Sequence, residues 1–101
     1  MRVLVFFDLP SVTTSEQREY RKFRKFLVKS GFIMLQESVY CKLALNATVA
    51  NSIVEKVKRN KPKEGIVQLL TITEKQFSKM EFVVGEKKTD FVDSDERLVV
   101  L

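Results

Sequence analysis

The sequence predicts a single α+β domain in which two helices pack on one face of a four-stranded antiparallel sheet. Three observations predict it. The N-terminal run Val3-Leu4-Val5-Phe6-Phe7 is short, β-branched and aromatic, as a buried strand is. Two later stretches carry an apolar residue every third or fourth position, and each opens on a residue suited to capping a helix. Extended, apolar stretches lie between and after them.

The elements follow in order. Arg2 to Leu9 is apolar on both parities, so both of its faces should be covered, and Pro10 ends it. Thr13 and Glu16 stand at capping-box spacing. Tyr20, Phe23, Leu27 and Ser30 then keep a helical rhythm with Phe26 alongside, and Gly31 is a good terminator. Phe32 to Leu45 reads as two strands joined by a tight turn or bulge around Gln36-Glu37-Ser38. Asn46 caps a second helix whose stripe is Val49, Ile53 and Val57 with Val54 beside it, and Asn60-Lys61-Pro62 stops it. Gly65 to Thr73 is a strand, Thr73 caps a short turn through Phe77, and Met80 to Val84 is expected to be a further strand. The order β-α-β-β-α-β is the ferredoxin-like split arrangement, and right-handed crossovers put both helices on one side. Residues 1–84 form this core with a short strand extension. Residues 85–101 form an acidic loop and an extra apolar C-terminal strand for a partner or dimer contact. The sheet face without helices needs a cover, and a second copy around a twofold axis is the simplest, giving a homodimer.

Charge is unevenly spread. Residues 1–63 carry 13 Lys and Arg against 5 acids, and residues 64–101 carry 5 against 8. A basic body suits a polyanion. With one cysteine, Cys41, and no histidine, internal disulfides, single-chain zinc fingers and histidine acid–base chemistry are excluded. Cys41 lies in an apolar stretch and is expected to be buried. No phosphate-cradling glycine loop is present. No stretch resembles a signal peptide or a membrane span, so a cytoplasmic protein is expected, with no membrane partner.

Asp8 is the sharpest feature: a carboxylate directly after five apolar residues, on the pleat parity of Leu4 and Phe6. Such a group can ligate Mg²⁺, and two of them across a twofold axis can share one ion beside a phosphodiester. A capping or loop aspartate before Pro10 is the alternative. Arg18, Arg21, Lys22, Lys25 and Lys29 share the polar side of the first helix, with Arg24 at its edge. Lys56, Lys58, Arg59, Lys61 and Lys63 cluster at the end of the second. Such groups grip phosphates without reading sequence, although each cluster alone also fits a solvated face. The apolar end, Arg97-Leu98-Val99-Val100-Leu101, suits strand addition to a partner's sheet edge.

These residues resemble the small CRISPR-associated "Cas two" family. The resemblance rests on the strand ending Phe6-Phe7-Asp8, on Arg18 and the run Phe23-Arg24-Lys25-Phe26-Leu27, and on Gly31, Gln36 and Ser38-Val39-Tyr40. Gly65 to Thr73 and the stretch Thr73-Glu74-Lys75-Gln76-Phe77 look like the type II-A branch. The resemblance implies a homodimer with Asp8 as the shared Mg²⁺ ligand and catalytic carboxylate of a metal-dependent endonuclease. It also implies an adaptation role, in which the dimer binds double-stranded DNA and bridges "Cas one" integrase subunits through residues 97–101 and their neighbours. Many members have Tyr before the aspartate; Phe7 here removes a hydroxyl that the resemblance places at the site. The alternative function is a toxin-like metal-dependent ribonuclease or deoxyribonuclease acting alone. An RNA-recognition module lacks its aromatic signature here, and a small-molecule regulatory domain leaves the basic clusters unexplained.

Overall fold

The computed structural model describes residues 1–85. The elements are β1 (Arg2–Asp8), α1 (Thr14–Lys29), β2 (Ile33–Gln36), β3 (Val39–Leu43), α2 (Ala47–Arg59), β4 (Ile66–Ile72) and a short α3 (Glu74–Ser78). The strand order is β2-β3-β1-β4, with every neighbouring pair antiparallel. This is the expected ferredoxin-like sheet. The strand with apolar residues on both parities, β1, takes an interior place between β3 and β4.

Local chemistry sets the boundaries. Thr13 Oγ1 accepts the Glu16 backbone N–H at 3.1 Å, and the Glu16 carboxylate accepts the Thr13 and Val12 N–H groups at 3.0 Å each. These bonds, that from Thr13 foremost, hold the Glu16 carboxyl below its ordinary value. At the other end of α1, Lys42 Nζ donates to the Ser30 carbonyl, and Gly31 leaves the helix at φ 94°. The strands β2 and β3 meet through Glu37-Ser38, with a bulge between Met34 and Gln36, so both the turn and the bulge are present. Asn46 Oδ1 accepts the Val49 N–H at 2.9 Å. The buried stripe of α2 is Ala50, Ile53 and Val57. Val49 is exposed instead, because it lies one residue, about 100°, around the helix from Ala50. Met80 to Val84 meets no neighbouring strand among the described residues and forms no ladder. The acidic loop from residue 86 and the strand expected at 97–101 lie outside the described residues.

The two sheet faces differ. Val3, Val5 and Phe7 of β1 pack with Phe23 and Leu27 of α1 and with Ala50, Ile53 and Val57 of α2. Each large apolar side chain buried there contributes about 1.5–3 kcal/mol. The opposite face carries Leu4 and Phe6, with Val39, Cys41 and Leu43 from β3 and Ile66, Leu70 and Ile72 from β4. Neither long helix covers it. At one corner the Arg2 guanidinium lies 4.1 Å over the Phe77 ring, bonds both Glu74 carboxylate oxygens at 3.1 and 3.0 Å, and approaches Cys41 Sγ at 3.6 Å. Leu4 and Cys41 on this face are each only 2% exposed. Beyond the corner the face is bare: Ile33 and Leu43 are 62% exposed, Ile66 58% and Leu70 49%.

Candidate functional site

Asp8 is the last residue of β1, on the bare face, directly across the ladder from Ile66 of β4. Its backbone is held from two sides. The Phe7 N–H donates to the Ser38 carbonyl at 3.1 Å, tying the strand end to the β2–β3 turn. On the other side Gly65, at φ 96°, passes so close that a Cβ there would lie 2.7 Å from the Asp8 carbonyl oxygen and 2.7 Å from Leu9 Cδ2. Only glycine fits both the conformation and the gap. The carboxylate itself is exposed. Its hard oxygens suit Mg²⁺, which binds few carboxylates and keeps several waters. No group of three or more candidate metal ligands occurs among the described residues. The sequence places Ser38 in a turn and Gly65 at a strand start, but does not show that either holds the end of β1. An isolated glycine at the start of a strand was the available signal for the second.

Phe7 does not belong to this surface. It faces the helices, 5% exposed, with its ring stacked on Tyr40 at 5.6 Å and edge-on to Phe23 at 5.3 Å and Tyr20 at 6.0 Å. A side chain following the pleat at this position points away from Asp8. The expectation that Phe7 deprives the site of a hydroxyl is therefore corrected: the hydroxyl would enter the helix-side core. A phenol is already there, since Tyr40, almost fully buried, accepts from Arg24 Nε at 2.9 Å. That bond is the main cause of the raised Arg24 pKa. Arg24 thus serves the packing of α1 on the sheet.

Arg18, Arg21, Lys22 and Lys25 are all exposed; Arg18, Arg21 and Lys25 lie on the side of α1 opposite the buried Phe23 and Leu27, and Lys22 lies at its flank. None has an ion-pair partner among the described residues. In the second cluster Lys58 is paired with Glu55 at 3.2 Å, whereas Arg59 and Lys61 are not paired among the described residues. The structure does not bring Asp8 and the α1 stripe together: the carboxylate lies on the bare sheet face and the stripe on the outside of the helix layer. The residues expected to meet a partner, Arg97, Leu98, Val99, Val100 and Leu101, lie outside the described residues.

Comparison with known proteins places the chain in a family. The family model described as CRISPR associated protein Cas2 matches residues 1–80. A Treponema denticola protein named CRISPR-associated endoribonuclease Cas2 is 58% identical over 101 residues, the whole of both chains. A Streptococcus mutans protein of the same name is 50% identical over 101 residues, all of this chain and 93% of the relative. One from Ligilactobacillus salivarius is 43% identical over 101 residues, again the whole of both. An antiparallel β2-β3-β1-β4 sheet, an aspartate closing its interior strand, and similarity along the full length lead to one assignment: the chain belongs to the Cas2 family of CRISPR-associated proteins.

Proposed function

We propose that the chain is a homodimeric subunit of CRISPR adaptation, acting in the cytoplasm, that binds duplex DNA without sequence preference and bridges integrase subunits. One observation carries the reading: an apolar sheet face is left bare and ends in Asp8. Two copies meeting on that face bury Ile33, Leu43, Ile66 and Leu70, bring two carboxylates toward a common axis, and leave both α1 stripes outward. Asp8 from each copy would hold Mg²⁺, which when bound polarises a phosphodiester. Arg18, Arg21, Lys22 and Lys25 neutralise backbone phosphates, and Arg97, Leu98, Val99, Val100 and Leu101 dock on the integrase. Scaffolding is the main work in this reading. Asp8→Asn should therefore keep assembly and spacer acquisition while losing Mg²⁺-dependent cleavage; an assembled variant that no longer acquires spacers refutes the scaffold role. Light scattering should give about twice 11.7 kDa, and a monomer at micromolar concentration removes the basis of the proposal.

A second reading is favoured by the names of the relatives, which call them endoribonucleases. Here the dimer cleaves RNA by itself, with Asp8 and Mg²⁺ as the whole apparatus. Purified protein on RNA and DNA substrates, with EDTA and Asp8→Asn as controls, separates the two readings.

A further inference from the structure

The fold joins the two basic clusters that the sequence keeps about 35 residues apart. Lys22 of α1 and Arg59 and Lys61 at the end of α2 line one open cleft of about 190 Å³, floored by Phe23 and Phe26 and rimmed by Glu19. We infer that this cleft is a seat for a single backbone phosphate of a nucleic acid, held jointly by Lys22, Arg59 and Lys61. The inference rests on the proposed DNA-binding reading and extends it from the outward stripe of α1 to a second element.

The electrostatics favour an anion. Three cations face one carboxylate, and the C-terminal end of α2 adds roughly half a negative charge. The sum is about +1.5. The α2 end is already partly neutralised, since the Asn60 side chain donates to the Lys56 carbonyl at 2.9 Å and the Asn60 N–H to the Val57 carbonyl at 3.1 Å. None of the three cations has an ion-pair partner among the described residues, whereas Lys58, one residue before Arg59, is paired with Glu55. The apolar floor matters too. Phe23 is buried and Phe26 half-buried, so one side of the cleft is walled off from solvent, and charges there are screened less than on an open helix face. A phosphate fits this arrangement better than a carboxylate ligand would, because it offers several oxygens to donors arriving from two helices.

The test is the salt dependence of duplex binding, read by fluorescence anisotropy. Each phosphate contact contributes about 0.9 to the slope of log K against log salt. The Arg59→Gln, Lys61→Gln double variant should bind with a slope shallower by about 0.9 for each protomer whose cleft meets the duplex, so by about 1.8 if both copies do. Adding Lys22→Gln should change the slope little further, because the shared contact is already gone. Lys58→Gln removes the same kind of charge at the same helix end and should keep the wild-type slope. A double variant with the wild-type slope overturns the inference while leaving DNA binding intact. So does a Lys58→Gln variant that shifts the slope equally, or a further drop of about 0.9 on adding Lys22→Gln. If the double variant loses binding of inorganic phosphate in titration calorimetry but keeps the duplex slope, the cleft takes the free ion and the nucleic-acid assignment is overturned. Wild-type protein that binds no duplex at all refutes the DNA-binding reading itself, a result visible before any variant is made.

Discussion

Gly65 gives the most discriminating stability test, because Gly31 supplies its own control. The two glycines have nearly the same backbone, φ 96° and 94°, but different surroundings. A Cβ at Gly31 would meet only the flexible end of Lys42, at 3.4 Å, whereas at Gly65 it would meet the Asp8 carbonyl oxygen and Leu9 Cδ2 at 2.7 Å and Leu9 Cα at 3.0 Å. For either Gly→Ala change the positive φ costs about 1–2 kcal/mol. The stiffer unfolded chain returns about 0.4–1 kcal/mol. Gly31→Ala should thus lose about 1 kcal/mol. Gly65→Ala adds an overlap with backbone that cannot swing away, about 1–3 kcal/mol, for a total of about 2–4 kcal/mol. With a urea dependence of about 1.5 kcal/mol per M, the midpoints should fall by about 0.7 M and about 1.3–2.7 M. Both variants are unfolded at one fixed protomer concentration, so that any association affects them alike. Equal shifts would refute the claim that the Asp8 backbone is wedged against Gly65. A larger shift for Gly65→Ala, with weakened Mg²⁺-dependent activity in the fraction still folded, would tie the wedge to the site.

Two further outcomes follow from particular contacts. Phe7→Tyr places a hydroxyl among Phe23, Tyr20 and Tyr40, so it should cost about 1–3 kcal/mol of stability and leave activity per folded molecule unchanged; higher activity at wild-type stability would show that position 7 reaches Asp8 after all. The Glu16 carboxyl titrates below its ordinary value in the folded chain, so its contribution is complete above the ordinary carboxyl range and is lost as pH falls through the lower folded value. Glu16→Gln should accordingly lower the melting temperature near neutrality and converge with wild type in acid, whereas parallel melting curves across that range would contradict the capping geometry.

Much of this molecule is legible in its residues because local and global signals agree. The Thr13–Glu16 and Asn46 caps, the exit at Gly31 and the two-sided apolar character of β1 each point to one structure, and each is where they place it. Asp8 is legible for the opposite reason: a charge that ends an apolar strand breaks the local pattern. What the sequence hides is whatever depends on register between distant segments. The approach of Gly65 to Asp8 joins residues 57 apart, and the inward turn of Phe7 follows from a parity that only the helix positions decide. The exposure of Val49 turns on one residue of helical phase, too fine a difference for an apolar stripe that Val54 already widens. Lys22 meets Arg59 and Lys61 only because both crossovers return to the same side of the sheet.

The corner built by Arg2, Glu74 and Phe77 makes Cys41 a native reporter. Its sulfur is shielded at 2% exposure, with a guanidinium 3.6 Å away, and it is the chain's sole thiol. A maleimide or disulfide reagent therefore has one possible target. The labelling rate under native conditions measures how often this face of the sheet opens, without a mutation or an attached dye.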